Sequence, residues 1–61
     1  MFKYRLYLED GTEVGEAEYA VTIKAGEIVW ALGNRKLRVL DLVPVEDEDS
    51  LYVGLLKVEA A

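Results

Sequence analysis

The sequence has no cysteine, no histidine and no glutamine, and its 61 residues include one proline, one asparagine and one methionine. Without cysteine the chain cannot form a disulfide, and without cysteine or histidine it lacks the usual ligands of zinc and iron–sulfur sites. A chain this short buries only about 60% of the surface that its unfolded form exposes. We therefore expect no metal and no cofactor, and expect stability to come from packing or self-association.

The same absences narrow the catalytic chemistry. The hydroxyl groups of Thr12, Thr22 and Ser50 have no imidazole base to activate them. The paired carboxylates fall on a predicted solvated turn, where we expect ordinary acidity, whereas acid catalysis by a carboxyl group needs a raised pKa. The five glycines form no phosphate-binding loop at the start of a helix. We expect no catalytic residues and no enzymatic activity.

Long apolar runs are also missing. No segment approaches the roughly 20 apolar residues that span a bilayer, and alternation begins directly after Met1 with no signal-peptide pattern. A net charge of −5 disfavours general binding to nucleic acids or anionic membranes. We expect a soluble, cytoplasmic protein, and the scarcity of labile residues predicts a thermostable one, from a thermophile or from an idealised design.

Alternation is the dominant pattern in the first third of the chain. Phe2, Tyr4, Leu6 and Leu8 alternate with polar residues, and Asp10-Gly11 is typical of a two-residue hairpin turn. Folding there pairs Phe2 with Tyr19, Tyr4 with Ala17 and Leu6 with Gly15 on the inner face. Arg5 then pairs with Glu16 and Lys3 with Glu18 on the outer face, so opposite charges meet. An alternative makes 13–25 a helix, which Gly15 and the Val-Thr-Ile run disfavour.

A second hairpin follows a turn at Lys24–Glu27. Folding the chain about Gly33-Asn34 pairs Trp30 with Leu37 and Ile28 with Val39 inside, and leaves Val29 and Ala31 outside. Trp30 is then expected to anchor the core.

The remaining sequence, LVPVEDEDSLYVGLLKVE after Asp41, contains four consecutive carboxylates between two apolar segments. Strict alternation from Leu37 would bury Asp41, which predicts either a bulge near Leu40-Asp41 or a strand that lies between two apolar surfaces. Pro44 is expected at a sheet edge or at another bulge, because it cannot donate a ladder hydrogen bond. The last strand is predicted at 51–59, with Gly54 marking a bend or a close backbone approach.

These segments predict an all-β fold: a five-stranded antiparallel meander forming a small SH3-like barrel, as a single domain over 1–61. The alternative is an open sheet covered by a second subunit. The segments AGEIVWALG and RKLRVLDLVPVEDEDSLYVGLLKVE resemble a group of short, uncharacterised bacterial proteins with the pattern "RVLDVVP, acidic turn, VGLLKVE". The resemblance covers about the C-terminal two-thirds, and it implies a fold but no site residues.

The apolar residues of the last two strands exceed what one face of a small sheet can bury, which is typical of an interaction surface. We expect self-association or binding of a protein partner there, by packing or strand addition. The alternative is that a curled barrel buries all of these apolar residues. The expected interface is Leu40, Leu42, Val45, Leu51, Val53 and Leu55.

The alternative function is binding of single-stranded nucleic acid by Trp30, Arg35, Lys36 and Arg38, although the acidic balance makes nucleic acid an unexpected partner. The acidic turn at 46–49 fits neither register of a calcium loop, because Tyr52 or Lys57 falls where glycine or glutamate is needed. We expect it to keep the apolar strands soluble and to discourage pairing between sheet edges.

Overall fold

The computed structural model describes residues 1–61 and contains five strands and no helix. The strands are β1 (Phe2–Tyr7), β2 (Glu13–Tyr19), β3 (Ile28–Ala31), β4 (Arg35–Pro44) and β5 (Gly54–Ala60). They form one sheet in the order β2-β1-β5-β4-β3, curled into a half-barrel. The all-β prediction is confirmed. No helix is present that is long and apolar enough to cross a membrane.

The sheet is mixed, so the prediction of a strictly antiparallel meander is wrong. β1 pairs with β5 in parallel, from Tyr4 opposite Gly54 to Tyr7 opposite Lys57, and β2 does not pair with β3. Successive strands of a meander run in opposite directions, so the first and fifth run the same way. When the sheet curls until these two meet, their pairing has to be parallel.

The first hairpin has the predicted register, but a different turn. Pairing runs from Phe2 opposite Tyr19 to Leu6 opposite Gly15, and 13–19 is a strand rather than a helix. The loop has three residues, because the Leu8 N–H donates to Thr12 O at 2.9 Å. Gly11, with φ of +90°, closes it. A bulge after Leu6 compensates for the extra loop residue and keeps the predicted faces.

The second hairpin is shifted by one residue from the prediction. Val29 pairs with Leu37 and Trp30 with Lys36, because the turn includes Leu32 as well as Gly33 and Asn34. All three turn residues have positive φ, at 54°, 75° and 77°. Relative to the prediction, a shift of one residue moves every side chain of β3 to the opposite face of the sheet. Val29 is therefore buried, and the prediction of Trp30 as core anchor is wrong: its side chain is 60% exposed.

The core lies inside the curl of the sheet. Its nine buried side chains are Tyr4, Leu6, Ile23, Val29, Ala31, Leu37, Val39, Leu56 and Val58. Side chains and the segment 20–27 bridge the gap between the edge strands β2 and β3. Tyr19 Oη donates to Trp30 O at 3.2 Å, and the Ile23 N–H donates to Tyr4 Oη at 3.0 Å. The first contact joins the two edge strands directly, and the second anchors the segment 20–27 to β1 across the opening of the half-barrel.

Candidate interaction surface

The outer face of β4 and β5 is shaped by one extra residue in β4. The pairing passes from Val39 opposite Val58 to Asp41 opposite Lys57, so Leu40 has no partner of its own. This confirms the predicted bulge. After it, Leu42 points inward with Leu56, and Val43 points outward with Leu55.

Four aliphatic side chains form a strip along this outer face, hereafter the aliphatic strip: Val43, Val45, Val53 and Leu55. Val43 and Leu55 are directly opposite each other, and the Val45 N–H donates to Val53 O at 3.1 Å. Residues two apart on an extended strand share a face, so the two pairs stack along the strands. Val43 is 50% exposed and Val53 41% exposed. The sheet thus presents aliphatic groups to solvent on the side away from its core.

The strip leads into an open groove of about 360 Å³. Its lining residues are Tyr7, Leu8, Glu9, Asp10, Gly11, Val43, Leu55, Leu56 and Lys57. Apolar side chains from three strands meet there under the tip of the first hairpin. The volume lies at the lower end of the range typical of ligand pockets. It would hold a large side chain of a partner.

The free edge of β4 beside the strip has few backbone donors. On the side of β4 that faces β3, the Val39 backbone forms hydrogen bonds with Gly26 and Glu27. Because Leu40 is an extra residue, the backbone N–H and C=O groups that face this side after the bulge belong to Leu42 and Pro44. The Leu42 N–H donates to Asp41 Oδ1 at 2.9 Å, and Pro44 has no N–H. An added strand would find neither donor available, so this surface suits side-chain packing better than strand addition.

A polar cluster borders the strip along β1. Tyr52, in the loop before β5, lies over Lys3 and Arg5, with the Arg5 guanidinium 4.8 Å from its ring centroid. Tyr52 Oη donates to Glu16 Oε2, and Lys3 Nζ lies 3.3 Å from Glu16 Oε1. The hydrogen bonds from Tyr52 and from Lys3 lower the pKa of Glu16. The cluster ties the loop to β1 and satisfies the charges along one side of the strip.

Arg5 takes part in the same cluster through Glu13. Its Nε atom lies 2.6 Å from Glu13 Oε1, but the geometry does not make a directed hydrogen bond and the atom is enclosed. The contact is an ion pair, because at 2.6 Å the two oppositely charged groups touch. Both cationic side chains of β1 therefore form ion pairs with glutamates of β2.

The acidic turn joins β4 to β5. Asp47 Oδ1 accepts from the Asp49 N–H at 2.9 Å, and Asp47 O accepts from the Ser50 N–H at 3.0 Å, so one carboxylate shapes the turn itself. All four acidic residues are exposed, and none forms a salt bridge. No group of three or more potential metal ligands is present.

The predicted interface residues do not all lie on one surface. Val45, Val53 and Leu55 belong to the aliphatic strip, and Leu51 is 77% exposed in the loop. Leu42 packs against the core, and Leu40 is the half-buried residue of the bulge. β5 begins at Gly54 rather than at residue 51, and Gly54 is the predicted close approach: a Cβ there would lie 2.9 Å from Leu42 Cδ1.

The chain was compared with protein-family models, with curated proteins and with solved structures, and no match was found.

A second exposed surface lies on the outer face of β3 and the adjacent part of β4. Trp30 is opposite Lys36, and Ile28 is opposite Arg38. Arg38 Nη1 is 2.9 Å from Glu59 Oε2, whereas Arg35 and Lys36 form no salt bridge. Three of the four predicted nucleic-acid residues thus share this face, with the indole ring open to solvent: Trp30, Lys36 and Arg38. Arg35 is opposite the buried Ala31 and therefore lies on the other side of the sheet.

Val43 and Tyr52 were not predicted from the sequence to belong to the candidate interaction surface and its border. Val43 could have been found by counting past the predicted bulge, which moves it to the outer face. Tyr52 gave no local signal, because its partners on β1 and β2 are at least 36 residues away.

Proposed function

We propose that the chain is a non-enzymatic, cytoplasmic interaction module that binds a protein through the aliphatic strip. The observation that carries the proposal is the exposure of Val43 and Val53 on the face opposite the core, beside a groove large enough for a side chain. The surface results from the bulge at Leu40, because the extra residue turns Val43 to the outer face. Either a second copy or another protein could cover the strip.

An SH3-like barrel is part of the same proposal. The cyclic order of the strands is that of a five-stranded meander barrel opened between β2 and β3, with its first and last strands parallel. This strand order supports the proposal that the fold is an SH3-like barrel.

The experiment places a photo-cross-linking residue at position 43, and at Glu18 on β2 as a control position. Cross-linking is carried out on the purified chain and in extract of the cells that express it. We expect adducts from position 43 that are lost in a Val53→Thr/Leu55→Thr background. Light scattering over a hundredfold concentration range reports self-association. Monomeric behaviour throughout, with no adduct above the level of the control position, would refute the proposal.

One observation favours a second candidate function, the binding of single-stranded nucleic acid. Trp30 is exposed beside Lys36 instead of buried, which provides a stacking platform next to a cation. Arg38 lies on the same face but is paired with Glu59, and Arg35 lies on the opposite face. The test is a Trp30 fluorescence titration with mixed-sequence single-stranded RNA at low salt, with Lys36→Gln as the comparison. Unchanged fluorescence removes this candidate.

A further inference from the structure

Resting on the proposed function of the aliphatic strip, we propose that its partner is a short extended segment with apolar residues in the middle and lysine or arginine on both sides. The occupant is a segment of another protein and not a second copy of this chain.

The first observation is the charge at the loop end of the strip. Val45 lies directly before the loop that joins β4 to β5, and Val53 lies at its end. The loop contains Glu46, Asp47, Glu48 and Asp49. The four carboxylates are exposed and form no salt bridge, so the negative charge there is uncompensated within the chain.

The second observation is the charge at the groove end. Glu9 and Asp10 line the groove, and Asp41 lies two residues from Val43, opposite Lys57. The Thr12 N–H donates to Asp10 Oδ1 at 2.9 Å, and this hydrogen bond lowers the pKa of Asp10. Three carboxylates against one lysine leave this end negative as well.

The long side of the strip along β1 contributes no net attraction. Lys3 and Arg5 are paired with Glu16 and Glu13, and Tyr52 covers them. The apolar centre therefore lies between two acidic ends and beside a neutral border. Val45 and Asp41 are four residue steps apart, or about 13 Å of extended chain, so an extended segment of about five residues spans the distance between them.

A second copy fits this pattern poorly. Two chains of net charge −5 would meet with acidic ends facing acidic ends, whichever way the strips were aligned. Like charges across an interface oppose association, whereas lysines or arginines at both ends of a segment complement both ends of the strip. The charges also predict the salt dependence: binding of a basic segment weakens as salt rises, and association of two copies strengthens.

The experiment uses three fluorescently labelled synthetic peptides with the full chain. Each has four central aliphatic residues, flanked on both sides by two lysines, two glutamates or two serines. Anisotropy is measured at low and at moderate salt. A Glu46→Gln/Glu48→Gln variant tests the acidic turn without touching Asp47, and Glu18→Gln serves as the remote control.

We expect the lysine-flanked peptide to bind most tightly, to weaken as salt rises, and to lose about threefold to tenfold in affinity with Glu46→Gln/Glu48→Gln but not with Glu18→Gln. Equal binding of the serine-flanked or glutamate-flanked peptide, or association of the chain with itself through the strip that strengthens with salt, overturns the inference and leaves the proposed function standing. No binding of any peptide, together with no adduct at position 43, refutes both.

Discussion

Replacing Tyr4 with phenylalanine tests how the half-barrel is held closed. Tyr4 is 2% exposed, and its hydroxyl oxygen accepts the N–H of Ile23, which is also buried. The phenylalanine ring would keep the packing and remove only the acceptor. A buried N–H without a partner costs about 1–3 kcal/mol. In a domain of this size each kcal/mol corresponds to about 4–8 °C, so a cost of about 2 kcal/mol lowers the melting temperature by about 8–16 °C.

The assay is thermal and denaturant unfolding followed by circular dichroism, with Tyr19→Phe as the matched control. The Tyr19 hydroxyl donates to an exposed carbonyl oxygen, which water can satisfy in its absence. We therefore expect a loss below about 0.5 kcal/mol for Tyr19→Phe. If Tyr4→Phe were no more destabilising than Tyr19→Phe, the segment 20–27 would not be held as described.

Three further predictions concern other parts of the chain. Trp30→Ala should lower the free energy of unfolding by less than about 1 kcal/mol in denaturant melts, because the side chain is exposed, and a loss of about 3–5 kcal/mol would indicate a core tryptophan. Gly54→Ala should cost about 1–3 kcal/mol in the same assay, since the new methyl group would press on Leu42 and the Val43 carbonyl oxygen; an unchanged midpoint would show that the contact relaxes. The lowered pKa of Glu16 means that its ionised form stabilises the fold above the ordinary value of 4.5, and that this contribution is lost as the pH falls through the lower folded-state pKa. Melting temperatures from pH 6 to pH 3 should therefore fall less steeply for Glu16→Gln than for the unchanged chain, and identical slopes would contradict the assignment.

The two hairpins show what sequence reasoning can establish about register. In the first, apolar residues alternate with lysine, arginine and glutamate, so only one register places charges opposite each other and apolar groups together. In the second, EIVWAL is apolar on both faces, and alternation does not choose between Val29 and Trp30 as the inward residue. The turn determines the register of this hairpin. Leu32 adopts a positive φ there, which its residue type does not predict.

Features that depend on distant parts of the chain were harder to predict. The parallel pairing of β1 with β5 follows from closure of the sheet and leaves no local pattern in either strand. The bulge at Leu40 was predictable, because burial of Asp41 was the alternative, and with it the outward position of Val43. The cluster around Tyr52 requires the β4–β5 loop to fold over β1, which no neighbouring residue signals.

The proposal that the aliphatic strip binds an apolar segment flanked by lysines is tested most directly by amide chemical shifts of the labelled chain during titration with the lysine-flanked peptide. The account predicts shifts centred on Val43, Val45, Val53 and Leu55, extending to Asp10 and Lys57 in the groove. Shifts centred instead on Trp30 and Lys36, or no shifts at saturating peptide, would contradict it.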